Sequence, residues 1–473
     1  MTMKLGVQEE PAIYKVLFEQ TRVQALSKVV SKLVDGSHNP PAKQSTGHPM
    51  LSARNIDNST INFDEFRFIS NEDFAQEDRR TRVTAGDVLL TIVGTIGRVA
   101  VVPEAAAPFA LQRSVAVMTP ITLLSKYLAY QLQAPDVQRY FEQNARGTAQ
   151  KGVYLKTLGN TPVLVPGRDA QKQTIAYLDE QLSRLDASVA ALHRVQANLK
   201  RYRASVLKSA CEGRLVPTEA ELARHEGRDF ETGAQLLQRI LVERRARLNG
   251  KGKYKEPALA AITEMQQLPL GWSWATLEQL TFLVTSGSRG WSAFYADAGI
   301  WFIRAQDIKT DALNIHSVAR VDVPAHAEGS RSSVGSSDIL VTITGANVTK
   351  SALVPVLPEP AFVSQHVALL KLTCQATAAF VFDWIVSPAN GRKVLESWAY
   401  GAGKPGLSLE QLRELRVALP PLAEQHRIVA EAERRLSLIR VADALVSANL
   451  ARAKRLRQSI LQAAFGISDS ARQ

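Results

Sequence analysis

The sequence predicts an α+β protein built from two similar globular domains, each of which is followed by a long helix. Three observations lead to this fold class: an internal repeat, clustered short runs of β-branched residues, and two long heptad patterns. The chain has 473 residues, enough for roughly two to four domains. Its hydrophobic fraction of 45% is sufficient for buried cores.

The internal repeat joins the two halves of the chain at an offset of about 251 to 254 residues. The matched segments are 47–56 with 299–308, 86–94 with 337–345, 109–113 with 362–366, 147–158 with 401–412, and 200–207 with 454–461. In this register Asn55 falls beside Asp307, and Gln112 falls beside Gln365. Because the matches keep their order and nearly keep their spacing, the two halves are predicted to share one fold.

Inside each repeat the short apolar runs predict strands, and longer periodic segments predict helices. Strands are expected at 88–93, 99–102, 339–344 and 353–356, and helices at 123–143 and 378–397. The strands are clustered instead of alternating strictly with helices, which favours an α+β domain over a doubly wound sheet.

Two heptad patterns follow Pro166 and Pro421, with apolar residues mainly at alternating steps of four and three. They predict helices over about 170–211 and about 423–465, ended by Gly213 and Gly466. A helix of about 40 residues is roughly 60 Å long and cannot bury its apolar stripe against one compact domain. We therefore expect the two helices to form an antiparallel coiled coil with a pseudo-two-fold axis. In the alternative, each helix packs against a separate partner or mediates dimerisation.

The link between the halves spans 213–267 and is predicted to contain one amphipathic helix over 232–248, with Thr232 near its N-cap. A basic stretch at 249–255 follows this helix. It either contacts DNA phosphates or is simply solvated.

The formal net charge of +12 and the pI near 9.6 favour a polyanionic partner, with nucleic acid as the first candidate. The cysteines Cys211 and Cys374 stand alone, so a structural zinc site is not expected. No run of eighteen apolar residues and no signal-peptide core occurs, and a cytoplasmic, soluble protein without a membrane contact is expected.

No catalytic motif stands out in the sequence. The tripeptide Asn-Pro-Pro at 39–41 resembles part of the tetrad of amino-methyltransferases, but Ala42 occupies the place of the aromatic residue that stacks on a flipped base. No glycine-rich loop for a methyl donor precedes it. We therefore expect this chain to be non-catalytic, with no metal and no cofactor of its own.

Several segments together resemble one family. They are the Asp-Gly-Ser-His turn at 35–38, the Gly-Asp-Val-Leu strand at 86–89, the Leu-Pro-Leu-Gly-Trp opening at 268–272, the Pro-Pro-Leu-Ala-Glu-Gln helix entry at 420–425, and the helix exit at 459–466. Combined with the repeat and the heptads, they resemble the specificity subunits of Type I restriction-modification systems. The first half lacks the Leu-Pro-x-Gly-Trp opening, and the second half has Ser-Gly-Ser-Arg at 286–289 where Gly-Thr-His is typical.

The resemblance implies that each domain reads one half of a bipartite target in double-stranded DNA, while the helices set the spacing, up to about 17 base pairs. It implies assembly with two methyltransferase subunits that bind S-adenosylmethionine, joined for cleavage by motor-nuclease (restriction) subunits that use ATP and Mg²⁺. The implied segments are a first target recognition domain at 1–166, a spacer helix at 167–212, a linker at 213–267, a second target recognition domain at 268–421, a spacer helix at 422–466 and a tail at 467–473.

Candidate DNA contacts are basic, amide or hydroxyl side chains on loops of the repeated domains. In the first domain these are Ser37, His38, Arg54, Asn55, Arg98, Gln112, Arg113, Arg146 and Lys151, and in the second Arg289, Arg304, Gln306, Lys350, Gln365, His366 and Lys404. Two other functions remain open at this point. One is a non-catalytic coiled-coil scaffold that binds proteins, and the other is a self-sufficient DNA methyltransferase.

Overall fold

A computed structural model describes residues 21–57, 59–147, 150–248, 254–259, 267–287, 289–323, 330–399 and 405–466. The chain divides into two compact units: unit 1 comprises residues 1–193 and 447–473, and unit 2 comprises residues 194–446. This division differs from the predicted domains 1–166 and 268–421. Each unit takes in parts of both long helices, and unit 2 also takes in the linker.

Unit 1 combines small sheets with short helices. Its strands are β1 (Arg22–Ala25), β2 (Val30–Asp35), β3 (His48–Leu51), β4 (Ile56–Asp57), β5 (Thr60–Ile61), β6 (Arg67–Ile69), β7 (Val88–Thr91), β8 (Val99–Val101), β9 (Ala110–Leu111), β10 (Val115–Pro120) and β11 (Pro162–Val165). Its helices are α1 (Asn71–Thr81), α2 (Ser125–Leu132), α3 (Pro135–Asn144) and α4 (Leu155–Gly159), after which α5 (Arg168–Cys211) begins. A four-stranded antiparallel sheet has the order β2-β10-β7-β8, and a three-stranded sheet has the order β6-β3-β9.

Unit 2 repeats this plan with additions. Its helices are α6 (Glu219–Glu226), α7 (Gly233–Leu248), α8 (Leu277–Leu280), α9 (Ala378–Val386), α10 (Gly391–Trp398), α11 (Leu409–Glu414) and the start of α12 (Leu422–Phe465). Its strands are β12 (Ser273–Thr276), β13 (Thr281–Ser286), β14 (Tyr295–Ala296), β15 (Ile300–Ile303), β16 (Ile308–Lys309), β17 (Ala312–Leu313), β18 (Ala319–Val321), β19 (Ser333–Val334), β20 (Ile339–Thr342), β21 (Ser351–Leu353), β22 (Ala361–Val363), β23 (Val367–Leu372) and β24 (Arg416–Leu419). The four-stranded sheet β13-β23-β20-β21 corresponds to that of unit 1.

One core cluster of unit 1 is matched position by position by a cluster of unit 2. The equivalent buried pairs are Leu51/Ile303, Ile56/Ile308, Leu89/Leu340, Ala100/Ala352, Val102/Val354, Phe109/Ala361, Leu111/Val363, Val115/Val367 and Val117/Leu369. The same sheet residues therefore exclude water in both units, and the predicted duplication of an α+β fold is confirmed.

The two long helices run antiparallel within each unit. In unit 1, Leu178 near the start of α5 shares a core with Leu461 and Phe465 at the end of α12. In unit 2, Val206 near the end of α5 shares a core with Ile428 near the start of α12. The predicted helices at about 170–211 and about 423–465 are thus confirmed to within two residues, while the coiled-coil geometry itself stays a prediction.

Three predicted elements were wrong in their extent. The helix expected at 123–143 is two helices, α2 and α3, because Pro135 at the start of α3 cannot continue a preceding helix. The helix expected at 378–397 is likewise divided into α9 and α10, with Pro388 in the break. The strand expected at 353–356 is β21, which ends at Leu353; Pro355 lacks the N–H that would extend the ladder.

The linker is more ordered than its polar sequence indicates. The predicted helix is α7, and the Thr232 hydroxyl accepts a hydrogen bond from the Gln235 N–H at 3.2 Å. Leu236 and Ile240 lie in the core of unit 2. Helix α6 was not predicted, although the capping box between Thr218 and its third helical residue marks its start. Most of the basic stretch, 249–253, lies outside the described residues.

The aspartate that precedes the third sheet strand of each unit has a structural use. The carboxylate of Asp87 accepts a hydrogen bond from the Lys32 ammonium at 2.8 Å, and that of Asp338 accepts one from Lys371 at 2.6 Å. Burial raises the pKa of Asp338, and its bond to Lys371 opposes that rise. These aspartates therefore link strands of the same sheet inside the protein.

Among the residues described, no helix is both long enough and apolar enough to cross a membrane. In the same part of the chain, no group of three or more His, Cys, Asp or Glu side chains is arranged to hold a metal ion. Cys211 is buried and Cys374 is half-buried, each as a free thiol.

Candidate nucleic-acid interface

The sheets fix which loop residues of the two units are equivalent. Leu51 pairs with Leu111 on the neighbouring parallel strand, and Ile303 pairs with Val363 in the same way. Counting on from these strands, Arg113 is equivalent to Gln365 and Gln112 to Ser364. The predicted match of Gln112 with Gln365 is therefore wrong by one residue.

The cause of this error is a phenylalanine that changes face. Phe109 points into the buried cluster of unit 1 that also contains Leu51 and Leu111, where unit 2 has Ala361. Phe362 lies one residue further on and packs from the opposite face of β22 against Trp291, with ring centroids 5.1 Å apart. Because side chains alternate along a strand, aligning Phe109 with Phe362 shifts every following residue to the wrong face.

A glycine directs the chain out of the sheet at the end of β2 and at the end of β13. A Cβ on Gly36 would lie 2.1 Å from the Leu111 carbonyl oxygen, and one on Gly287 would lie 1.7 Å from that of Val363. Only glycine permits such a close approach of two backbones. The turns that follow present His38 in unit 1 and Arg289 in unit 2, and both side chains are exposed.

The imidazole of His38 is held in place by an acidic side chain, which is itself bound by an arginine. Its Nε2 lies 2.7 Å from a carboxylate oxygen of Asp35, whose other oxygen accepts a hydrogen bond from the Arg80 guanidinium. The side chain of Asp35 is only 10% exposed, whereas that of His38 is 56% exposed. The ring is thus oriented from the protein side while its other edge faces solvent.

Ser37 does not fit its predicted role. The residue is buried, and its hydroxyl donates a hydrogen bond to the Glu77 carboxylate at 2.7 Å. Its backbone N–H donates to the Leu111 carbonyl at 2.8 Å. Ser37 therefore ties the turn to α1 and is not available to a DNA base.

Asn55 and its equivalent Asp307 are also buried, which corrects the prediction that Asn55 contacts DNA. The Asn55 amide donates to the carbonyls of Asn62 and Glu65, both at 2.9 Å, and its oxygen accepts from the backbone N–H of Ser52 at 2.9 Å. With its hydrogen-bonding groups engaged inside the protein, Asn55 closes the loop that follows β3.

Arg304 is largely engaged by Asp307. The Asp307 carboxylate accepts hydrogen bonds from Nε and Nη2 of Arg304 at 3.0 and 3.1 Å, and Nη2 also donates to the Ser317 carbonyl at 3.2 Å. The bond to Asp307 raises the pKa of the guanidinium. Few of its donors are left for a base, so the predicted DNA contact of Arg304 is corrected to a loop-stabilising ion pair.

One position in this loop does point outwards in both units. Arg54 and its equivalent Gln306 immediately precede the buried residues Asn55 and Asp307, and both side chains are exposed. The two loops thus offer a guanidinium in unit 1 and an amide in unit 2 from the same backbone position.

The turn after the third sheet strand carries a basic residue in each unit. The Thr91 N–H donates to the Arg98 carbonyl, and the Thr342 N–H donates to the Lys350 carbonyl, at 2.9 and 2.8 Å. These bonds make Arg98 and Lys350 equivalent. The Lys350 ammonium donates to the Asn347 side chain at 2.7 Å, and both basic residues are half-exposed.

The remaining basic candidates lie near the loop that contains the two repeat glycines. Arg146 pairs with Gly152 through two backbone hydrogen bonds of 2.9 and 2.8 Å, and the Lys151 carbonyl accepts from the Gly94 N–H at 3.1 Å. Both side chains are exposed. Lys404 lies outside the described residues, so it is not placed.

Each unit has a cavity among these loops. The unit 1 cavity has a volume of about 440 Å³, and its polar lining includes Asp35, His38, Arg80, Arg113, Tyr154 and Lys156. The unit 2 cavity has a volume of about 370 Å³, and its polar lining includes Tyr295, Arg304, Gln306, Asn347, Gln365 and His366. The structure therefore brings together His38 with Arg113, and Gln306 with Gln365 and His366.

Sequence reasoning missed Arg80, Lys156 and Asn347. Arg80 lies on α1, which has no counterpart signal in the second half, and it reaches the cavity only because Asp35 accepts its hydrogen bond. Lys156 lies on α4, a helix of five residues that is too short to leave a periodic pattern. Their positions follow from tertiary packing alone.

Comparison with known proteins gives a consistent assignment. Residues 37–199 match the model of a family described as the Type I restriction modification DNA specificity domain. The Escherichia coli Type I restriction enzyme EcoBI specificity subunit is 27% identical over 331 residues, which are 68% of this chain and 61% of that protein. The EcoDI specificity subunit, also from Escherichia coli, is 23% identical over 371 residues, 74% of this chain and 71% of that one. The chain thus spans about three fifths of the first of these relatives.

A solved structure supports the fold. A chain from a study of complex assembly and conformational transition of the type I R-M system superposes with a TM-score of 0.54 at 16% identity. The superposition covers 94% of this chain and 98% of the other. Residues 37–199 thus match a Type I restriction modification DNA specificity domain, and the chain is similar over most of its length to Type I restriction enzyme specificity subunits.

Proposed function

We propose that this chain is the DNA sequence-recognition subunit of a Type I restriction-modification complex, and that each unit reads one half of a bipartite target. One observation carries the proposal: two units with equivalent cores present different polar side chains at equivalent positions that solvent reaches, such as the exposed Arg113 and the half-exposed Gln365. Two different half-sites require this combination of one scaffold with two sets of base-contacting groups.

The charge of the chain supports DNA as the ligand. A net charge of +12 accompanies exposed or half-exposed cations at Arg54, Arg98, Arg146 and Lys151 in unit 1 and at Lys350 in unit 2. Cations of this kind hold phosphates and position the protein on the duplex, while cavity side chains contact base edges. The protein would do this in the cytoplasm.

The long helices would set the spacing between half-sites and recruit partners. A helix of 44 residues is about 66 Å long, which corresponds to roughly 19 base pairs as an upper limit. On α12, Leu438, Val441 and Leu445 are about three-fifths exposed and recur at steps of three and four, so they form one apolar stripe. We assign such surfaces to two methyltransferase subunits.

Catalysis would then belong to the partners. The methyltransferase subunits would carry S-adenosylmethionine, and motor-nuclease subunits would carry ATP and Mg²⁺. This chain would contribute recognition and assembly but no chemistry.

The deciding experiment is to map methylated sites in the host genome with and without this gene. We expect a bipartite motif to lose its methylation when the gene is deleted and to regain it on complementation. An unchanged methylation map would contradict the proposal. A second arm is a gel shift at rising salt, with and without the co-expressed methyltransferase. DNA affinity that is absent in both cases would favour a protein scaffold, and S-adenosylmethionine binding by the isolated chain would favour a self-sufficient methyltransferase.

A further inference from the structure

Two pairs of equivalent loop positions differ between the units in the same chemical direction. Position 54 of unit 1 is arginine where position 306 of unit 2 is glutamine, and position 113 is arginine where position 365 is glutamine. Both pairs are separated by 252 residues, the offset that the strand pairings Leu51–Leu111 and Ile303–Val363 fix. The correspondence therefore rests on backbone geometry and not on sequence similarity.

Arginine and glutamine prefer different bases in the major groove. A guanidinium donates two parallel hydrogen bonds to O6 and N7 of guanine, and a carboxamide both accepts from N6 and donates to N7 of adenine. Each good bidentate pair discriminates against the wrong base by about 5- to 150-fold. An exchange of arginine for glutamine at one site is thus an exchange of guanine for adenine as the preferred partner.

Arg113 is free to act in this way. It is exposed, lines the cavity of unit 1, and makes no ion pair within the described part of the chain. Two other arginines at the cavities differ from it, because Arg80 is bound to Asp35 and Arg304 to Asp307. The turn that carries Arg113 is fixed by its own backbone N–H, which donates to the Ser37 carbonyl at 2.9 Å.

The amides of unit 2 lie together on the wall of the second cavity. Gln306 is exposed, and Gln365 is half-exposed with its Nε2 at 3.3 Å from Nε2 of His366. The neighbouring ring restricts the orientation of the Gln365 amide. Among the described residues, no donor forms a hydrogen bond to the Gln365 amide oxygen. Such an arrangement suits recognition of a base that offers both a donor and an acceptor.

We propose that these positions select the bases of the two half-sites: Arg113, assisted by Arg54, reads guanine in the half-site of unit 1, and Gln365, assisted by Gln306, reads adenine in the half-site of unit 2. The proposal rests on the proposed function, since it names the bases that the same two surfaces read. Under this proposal, the residue type at two equivalent positions of the repeated fold determines which bases are preferred.

The test is selection of binding sites from a randomised duplex library by the full chain in complex with its co-expressed methyltransferase subunits. The wild type is expected to select a bipartite site. Arg113→Gln should change one guanine of one half-site to adenine, with a swing in relative affinity of about 5- to 150-fold, and leave the other half-site unchanged. Gln365→Arg should make the converse change, from adenine to guanine, in the other half-site only.

Matched controls exchange the same residue types away from the cavities. Arg22→Gln on β1 and Gln238→Arg on α7 are exposed changes of identical chemistry and should leave both half-sites unaltered. If Arg113→Gln weakens binding to all sequences equally, Arg113 is a phosphate contact and the proposal is overturned. If both variants select the wild-type site, it is overturned as well. Failure of the wild type to select any bipartite site would instead contradict the proposed function itself.

Discussion

Units 1 and 2 share their interior but not their loop surfaces. Every buried residue of the unit 1 sheet cluster has its counterpart in the other unit. The lining of the unit 1 cavity nevertheless includes the cationic or imidazole side chains of His38, Arg80, Arg113 and Lys156, while that of unit 2 includes the amides of Gln306, Asn347 and Gln365. Packing constrains a core position strongly, whereas an exposed side chain can change at little cost in stability. The comparison of cores with cavity linings shows that a duplicated fold can keep its buried residues while its exposed polar residues change.

The interiors also differ at one informative position. Phe109 fills the core of unit 1 where unit 2 has Ala361, and unit 2 places its phenylalanine on the other face of the strand, against Trp291. A core can thus tolerate moving a large side chain by one residue, provided that both faces of the strand are buried.

The largest expected effect concerns that position. Phe109→Ala should lower the free energy of unfolding of unit 1 by about 3–5 kcal/mol, because it leaves a cavity in a buried cluster and removes the ring that packs edge-on against Phe63. Hydrogen exchange of unit 1 peptides measures the loss. The six tryptophans all lie within 272–398, so tryptophan fluorescence reports unit 2 separately and should keep its transition midpoint. Equal losses by both methods would show that the units unfold together.

The next effect concerns the glycines that end β2 and β13. Gly36→Ala and Gly287→Ala should each lower the free energy of unfolding of their own unit by about 1–3 kcal/mol, since the new methyl group would meet a backbone carbonyl oxygen. Gly287 should be the more sensitive because its approach is the closer one. Gly167→Ala, where a Cβ meets no atom within 4 Å, is the control for both in urea unfolding. A neutral Gly287→Ala would mean that the two turns are not built alike.

A smaller effect should distinguish unit 2 by its pH dependence. Burial raises the pKa of Asp383 to about 7; Arg203 opposes the rise, and Glu433 adds to it. Between about pH 4 and about pH 7 the folded state therefore keeps a proton that the unfolded chain loses, and stability falls as the pH rises. Asp383→Asn removes this dependence and should be more stable than the wild type by up to a few kcal/mol at pH 8, with the gap closing near pH 4. Fluorescence-monitored unfolding at both pH values checks this, and a gap that does not change with pH would refute it.

The smallest effect concerns the equivalent cations Arg98 and Lys350. If each holds one phosphate, Arg98→Ala and Lys350→Ala should each reduce the slope of log affinity against log salt by about 0.9, without altering the preferred sequence. The measurement is a salt titration of binding to the cognate duplex. A changed slope for only one of the two variants would show that the units do not hold the backbone in the same way.

The sequence was sufficient to predict the elements whose signals are local or repeated. The heptads predicted α5 and α12 to within two residues of their observed bounds. The repeat predicted the strand β7 and its equivalent in unit 2, β20. These patterns can be recognised in the sequence because many residues contribute to a long periodic helix or a buried strand.

The rest depended on information that no single segment contains. The register of the loop after β9 was misjudged because a phenylalanine had moved to the other face, and only strand pairing reveals that shift. Asn55 and Ser37 have the polar chemistry of DNA contacts, but tertiary burial assigns them to the scaffold. The candidate DNA contacts could therefore be reduced to exposed and half-exposed side chains only when the structure separated them from the buried polar residues.

The core of unit 1 includes Leu461, Ala464 and Phe465, which are translated only after residues 194–446 of unit 2. Tyr127, which packs edge-on against Phe465 with ring centroids 5.3 Å apart, would leave the exit tunnel while most of the chain was still unmade. The unit translated first can therefore complete its interior only after the unit translated second has been synthesised. During synthesis the core of unit 1 stays incomplete until these codons are translated, and a message cut short before them would leave unit 1 without part of its interior.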